Sequence, residues 1–120
     1  IDVLINVAQA SASGVTISDH TTEQFNLAMY SGLYATFYYM QACYPYLKET
    51  KGSVINFASG AGLFGNYGQC SYAAAKEAIK IMTETCPEMV VGAGTVLTTE
   101  QVDRAVEKLK KVFVEMDIIK

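Results

Sequence analysis

The sequence predicts a single α/β domain over residues 1–120: three layers, β-α-β-α-β-α-β, around a mostly parallel four-stranded sheet. Two observations carry this. Strand-length apolar runs at Ile1–Ala8, Val54–Ala58 and the valine-rich stretch after Pro87 alternate with helix-patterned stretches at 22–44, 71–83 and 99–109. The runs are also nearly continuous in apolar character, which marks strands covered on both faces.

The first run is followed by a small, polar loop, residues 9–19. Thr21 and Gln24 then have capping-box spacing, so a helix starts at Thr22. It is expected to run to Tyr44, where Pro45 restricts its predecessor, with a frayed turn reaching Lys48 or Glu49. From Phe25 to Leu47 there is no charge. Asn26, Ser31, Thr36, Gln41, Pro45 and six tyrosines interrupt that stretch, so no membrane span is expected. A helix apolar nearly all round needs cover on two sides, the sheet on one and a second cover on the other.

The central stretch is residues 52–80. Gly52-Ser53 open a buried strand, and Gly60, Gly62, Gly65 and Gly68 follow in a turn. The next helix carries Tyr72 and Lys76, four residues apart and on one face. Ser59 lies at the carboxyl end of the strand, where open α/β sheets place their chemistry. A free tyrosine hydroxyl titrates near ~10, and an ammonium one turn away favours its ionised form. With a serine hydroxyl to hold a substrate oxygen, such a tyrosine can move a proton to or from an alcohol or carbonyl.

Strand, Ser59, thirteen residues and Tyr72-Ala73-Ala74-Ala75-Lys76 together resemble the catalytic half of the short-chain dehydrogenase/reductase family, over residues 1–83. The resemblance implies a Rossmann-like or flavodoxin-like half-fold with its first three strands side by side and two helices on one face. It makes Ser59 the catalytic serine, Tyr72 the base, and Lys76 the lysine that also holds the nicotinamide ribose, with Asn6 beside the cofactor. It implies NAD(P), and self-association through helices 22–44 and 71–83. Departures are also visible. The family's Asn-Asn-Ala-Gly reads Asn6-Val7-Ala8-Gln9, Gly32 stands where a helix asparagine is expected, and no Gly-x-x-x-Gly-x-Gly pyrophosphate turn precedes Ile1.

Beyond Thr83, Pro87–Glu107 resembles one strand-helix unit of the 2-keto-3-deoxy-6-phosphogluconate aldolases, on Val-Gly-Ala-Gly-Thr-Val. That resemblance places Thr95 beside a keto-acid carboxylate, without the lysine and glutamate of aldolase chemistry. Residues 112–118 alternate as an edge strand, which could return beside the first strand to give order 4-1-2-3.

The net charge of −3 excludes a nucleic-acid partner. Cys43, Cys70 and Cys86 have no metal-ligand spacing, so no metal is expected; they read as mostly buried thiols in a cytoplasmic, reducing compartment. His20, the lone histidine, is expected at the surface, at a helix start.

Two joined resemblances without a pyrophosphate turn lead to the expectation of an engineered chimeric scaffold, with no catalytic activity and no cofactor. The alternative is an NAD(P)-dependent oxidoreductase acting through Ser59, Tyr72 and Lys76. A third reading is a small-anion binder at the loop ends Gln9, Gly60 and Gly94.

Overall fold

The computed structural model describes residues 1–86, the strand Val90–Ala93 and the isolated positions 107 and 110. Its first strand, β1, spans Val3–Asn6. Helix α1, Thr22–Ala28, passes through a π turn at Met29–Tyr34 into α2, Ala35–Thr50. Strand β2 is Ser53–Phe57, α3 is Gly60–Phe64, α4 is Cys70–Glu84 and β3 is Val90–Ala93.

The three strands are parallel and lie in the order β1-β2-β3, as the expected crossovers require. Val54, in the middle strand, packs with Met40 and Leu47 of α2, and Leu4, Cys43, Met82 and Cys86 close around them. Both long helices therefore lie on one face of the sheet. The expected fourth strand, its order 4-1-2-3, the third helix and Thr95 lie outside the described residues.

The Thr21–Gln24 capping box is present with both of its hydrogen bonds. The helix beyond it differs from expectation twice. It changes register in the π turn, and beyond Tyr44 it continues through Pro45 as regular helix to Thr50 rather than as a frayed turn to Lys48 or Glu49. Proline removes one N–H from the ladder. Met40 and Leu47 flank it and bury seven residues apart in one core, at 5% and 2% exposure, so tertiary packing holds the helix across the gap. Strand β1 is also shorter than its apolar run, because Val7 and Ala8 have no partner in the ladder.

At its end, α2 closes with Lys51 in the left-handed region, φ 54°. Gly52 N–H donates to the Leu47 carbonyl at 2.7 Å and Lys51 N–H to the Lys48 carbonyl at 3.3 Å, the paired bonds of a Schellman stop. Gly52 is required by close approach: a Cβ there would stand 2.5 Å from the Asp2 carbonyl oxygen. Ser53 N–H donates to that same oxygen and starts the β1–β2 pairing.

A half-buried amide pair fixes the register. Asn6 and Asn56 are direct neighbours across the ladder, and Asn6 Nδ2 donates to Asn56 Oδ1 at 2.9 Å. Asn56 Nδ2 donates in turn to Thr83 Oγ1 of α4 at 3.0 Å. An asparagine 1% exposed inside an apolar run is thus fully partnered.

Candidate active site at the carboxyl end of the sheet

Strand β2 delivers Ser59 two residues beyond its last member. The Ser59 hydroxyl caps α3 by accepting from Ala61 N–H at 3.2 Å. Acceptance leaves the hydroxyl proton free to be donated elsewhere. The glycine turn is not all loop, since α3 occupies part of it. Gly62 seats α3 directly on α4: a Cβ there would lie 2.8 Å from Glu77 N.

Helix α4 carries the other two side chains. Lys76 is 6% exposed, and its Nζ donates to the Phe57 carbonyl at the end of β2 at 3.1 Å. The same ammonium lies 5.7 Å from the centre of the Tyr72 ring, within cation–π range. Burial pushes the Lys76 ammonium below its ordinary value of 10.5, because desolvation disfavours the charged form. Phe57 thus ties the lysine to the strand that carries Ser59, and Tyr72 stands one turn before the lysine. Asn6 is placed differently. Its amide is committed to Asn56 in the sheet interior.

The loop after β1 is strapped across this end. Gly14 N–H donates to the Gly68 carbonyl at 2.8 Å, and a Cβ on Gly68 would meet Gly14 Cα at 3.0 Å. His20 corrects its expected surface position. Its Nε2 lies 2.8 Å from Ser71 Oγ, a hydroxyl that is 1% exposed and adjacent to Tyr72, and its ring packs edge-on against Phe25. The sequence offers no signal for that pair, because it joins residues 51 apart. Gln9 and Gly32, two separate departures in the sequence, prove to be in contact.

Cys43, Cys70 and Cys86 are free and half-buried rather than mostly buried. Among the described residues there is no cluster of metal-ligating side chains, and no helix is long and apolar enough to cross a membrane.

Comparison with known proteins identifies the architecture. Residues 1–94 match the family model described as short chain dehydrogenase, and the chain belongs to that family. The match continues past Thr83 through Val90–Ala93, a strand the sequence also likened to an aldolase unit. Over 80 residues, 67% of the chain, it is 78% identical to a 12alpha-hydroxysteroid dehydrogenase from Clostridium sp. (strain ATCC 29733 / VPI C48-50). The matched stretch is 31% of that enzyme's length. Peroxisomal multifunctional enzyme type 2 from Drosophila melanogaster shares the fold with a TM-score of 0.70, over 92% of this chain and 23% of that one, at 22% identity. ElxO with NADP bound shares it at a TM-score of 0.67, over 88% and 47% of the two chains, also at 22% identity.

These findings overturn the expectation of a catalytically inert chimeric scaffold. A relative 78% identical across two-thirds of the chain is named as an oxidoreductase, and the chain is of the short-chain dehydrogenase type.

Proposed function

We propose that this chain carries the proton-transfer machinery of an NAD(P)-dependent oxidoreductase that interconverts a 12α-hydroxysteroid and its 12-ketone. The observation that carries the reading is the Lys76–Phe57 bond, which sets the ammonium beside Tyr72 at the end of the strand leading to Ser59. The substrate class comes from the name of the relative at 78% identity.

The residues fit the cofactor at its ribose end. Lys76 spends one of its three N–H bonds on Phe57, and two remain for sugar hydroxyls. NADP bound to a protein of the same fold supports the assignment. A bound nicotinamide would supply the hydride acceptor for oxidation of the substrate carbon and the hydride donor for its reduction. Tyr72 takes the hydroxyl proton as the alcohol becomes a ketone, and gives it back in reduction. Ser59 donates its free hydroxyl proton to the same substrate oxygen and holds it in place. The Lys76 ammonium, 5.7 Å from the Tyr72 ring centre, sets a positive charge beside the group that handles the proton.

Self-association through helices 22–44 and 71–83 belongs to this reading. Tyr30 and Tyr34 stack at 4.7 Å between ring centres, and Tyr34, Phe37 and Tyr38 continue that exposed aromatic row. Sedimentation is expected to show a dimer or larger at micromolar concentration, and monomer alone would remove this part.

The test mixes the chain with NAD or NADP and a 12α-hydroxysteroid and follows reduced-nicotinamide fluorescence, which the tryptophan-free chain does not mask. Growth of fluorescence that requires the 12α-hydroxyl is expected. No growth with either nucleotide at high protein concentration would overturn the reading.

A further inference from the structure

Strand β1 runs out directly onto the π turn, and two consecutive residues clamp it there. Gln9 Nε2 donates to the Ala28 carbonyl at 2.8 Å. Ala10 N–H donates to Ser31 Oγ at 2.9 Å, and that hydroxyl donates to the Leu27 carbonyl at 2.5 Å. The carboxamide of Gln9 lies flat on Gly32. A Cβ at that position would stand 1.7 Å from Gln9 Oε1 and 2.6 Å from Nε2, so any side chain at 32 would have to displace the Gln9 carboxamide. Gln9 Oε1 is itself buried and has no partner among the described residues.

The clamp sits where the helix changes register. Leu27 and Ala28 close α1, and the π turn begins at Met29. Their carbonyls accept from side chains at the point where the helical ladder must stretch by a residue. A π bulge and a side chain bonded into the ladder each redirect a helix, and here the two coincide. Each residue added to a helix rotates the remainder of that helix by about 100°. The π turn packs against α4, the helix of Tyr72 and Lys76. Its shape therefore sets the surface on which that helix rests.

We propose that Gln9 is a positioning residue for the Tyr72–Lys76 helix: its carboxamide, seated on Gly32, holds the π turn in the register that α4 packs against. The kinetic consequence rests on the oxidoreductase reading; the effect on Lys76 does not.

The test is a swap read two ways in the full chain: steroid oxidation, and the NMR signal of the Lys76 side-chain carbon next to nitrogen, assigned by its loss in Lys76→Arg. Gln9→Ala is expected to lower kcat by about tenfold or more while leaving KM within about twofold, and to move the Lys76 signal. Gly32→Asn alone is expected to do at least as much harm, since its side chain meets Gln9. Gln9→Gly combined with Gly32→Asn returns a carboxamide to the same space from the helix side. That pair is expected to restore kcat to within about threefold and to bring the Lys76 signal back. Should Gln9→Ala fail to fold by circular dichroism, Gln9→Glu replaces it, keeping the volume and losing the hydrogen given to Ala28.

An unchanged kcat and Lys76 signal in the Gln9 variant would overturn the proposal. So would a double variant no closer to the wild type than Gly32→Asn. If the unaltered chain transfers no hydride, the oxidoreductase reading falls, and the Lys76 signal across the swap alone decides for or against Gln9.

Discussion

At the amino end of the sheet, Lys51, Gly52 and Ser53 give every N–H to a named carbonyl, and Leu47, Val54 and Met40 fill the space behind them. At the carboxyl end the glycine turn, the strapped loop and α4 hold the three buried side-chain atoms without partners among the described residues: Gln9 Oε1, His20 Nδ1 and Glu77 Oε2. They also hold Lys76, whose charge is disfavoured by burial. An unpaired buried polar atom costs about 1–3 kcal/mol. Among the described residues the amino end carries none, and all three lie on the elements of the carboxyl end. Stability is concentrated at one end, and the groups able to do chemistry at the other.

That contrast can be broken first at its extremes. Tyr72→Phe removes one hydroxyl from the carboxyl end. It is expected to lower steroid oxidation by about 10²–10⁴-fold while the urea midpoint stays put. Leu47→Ala is its mirror image. Loss of a side chain 2% exposed is expected to cost about 2–5 kcal/mol in urea unfolding, with activity per folded molecule unchanged. If either variant changed both quantities equally, the two ends would not be separate.

Lys76→Met sharpens the comparison through pH. Lys76 titrates below 10.5 in the folded chain. At pH values below its lowered pKa, both the folded and the unfolded chain carry the proton, so the whole burial penalty is felt. As pH rises from that lowered value towards 10.5, the folded chain loses its proton first and gains stability. The difference in unfolding free energy between Lys76→Met and the wild type is therefore expected to favour the variant near neutrality and to shrink as pH rises through that window. A difference independent of pH would contradict the assigned cause.

The smallest effect lies at the amino end. Lys51 holds φ 54°, a left-handed backbone that glycine adopts more easily. Lys51→Gly is expected to raise stability by about 0.5–1 kcal/mol, the relief of strain being partly offset by a freer unfolded chain. Urea titration reads it directly, and no change in activity is expected.

Much of this was legible in the sequence because it is local. Ser59, Tyr72 and Lys76 stand on a strand end and one helix face, and spacing alone sets them there. The capping box at Thr21 and the parallel order of β1, β2 and β3 follow from equally short-range patterns. What escaped the sequence depends on distant partners. Pro45 stays inside a helix because Met40 and Leu47 share a core. His20 is drawn in by Ser71, 51 residues away. Gln9 and Gly32 each look like a loss when taken singly, and only their contact shows that one fills the space the other leaves. The inert-scaffold expectation failed for a different reason: it took two joined resemblances for two origins, whereas one family match runs through residues 1–94.

The Asn6–Asn56 pair also bears on how the chain finds its alignment. Shifting β1 by one residue against β2 would turn its side chains to opposite faces. Shifting it by two would bring Leu4 or Ala8 beside Asn56 and leave an acceptor without a donor at a position 1% exposed. Parallel strands meet late, after a long crossover has been closed, when errors of alignment are slow to undo. The amide pair makes a misaligned sheet unstable as soon as it forms, so wrong pairings come apart before the helices lock over them.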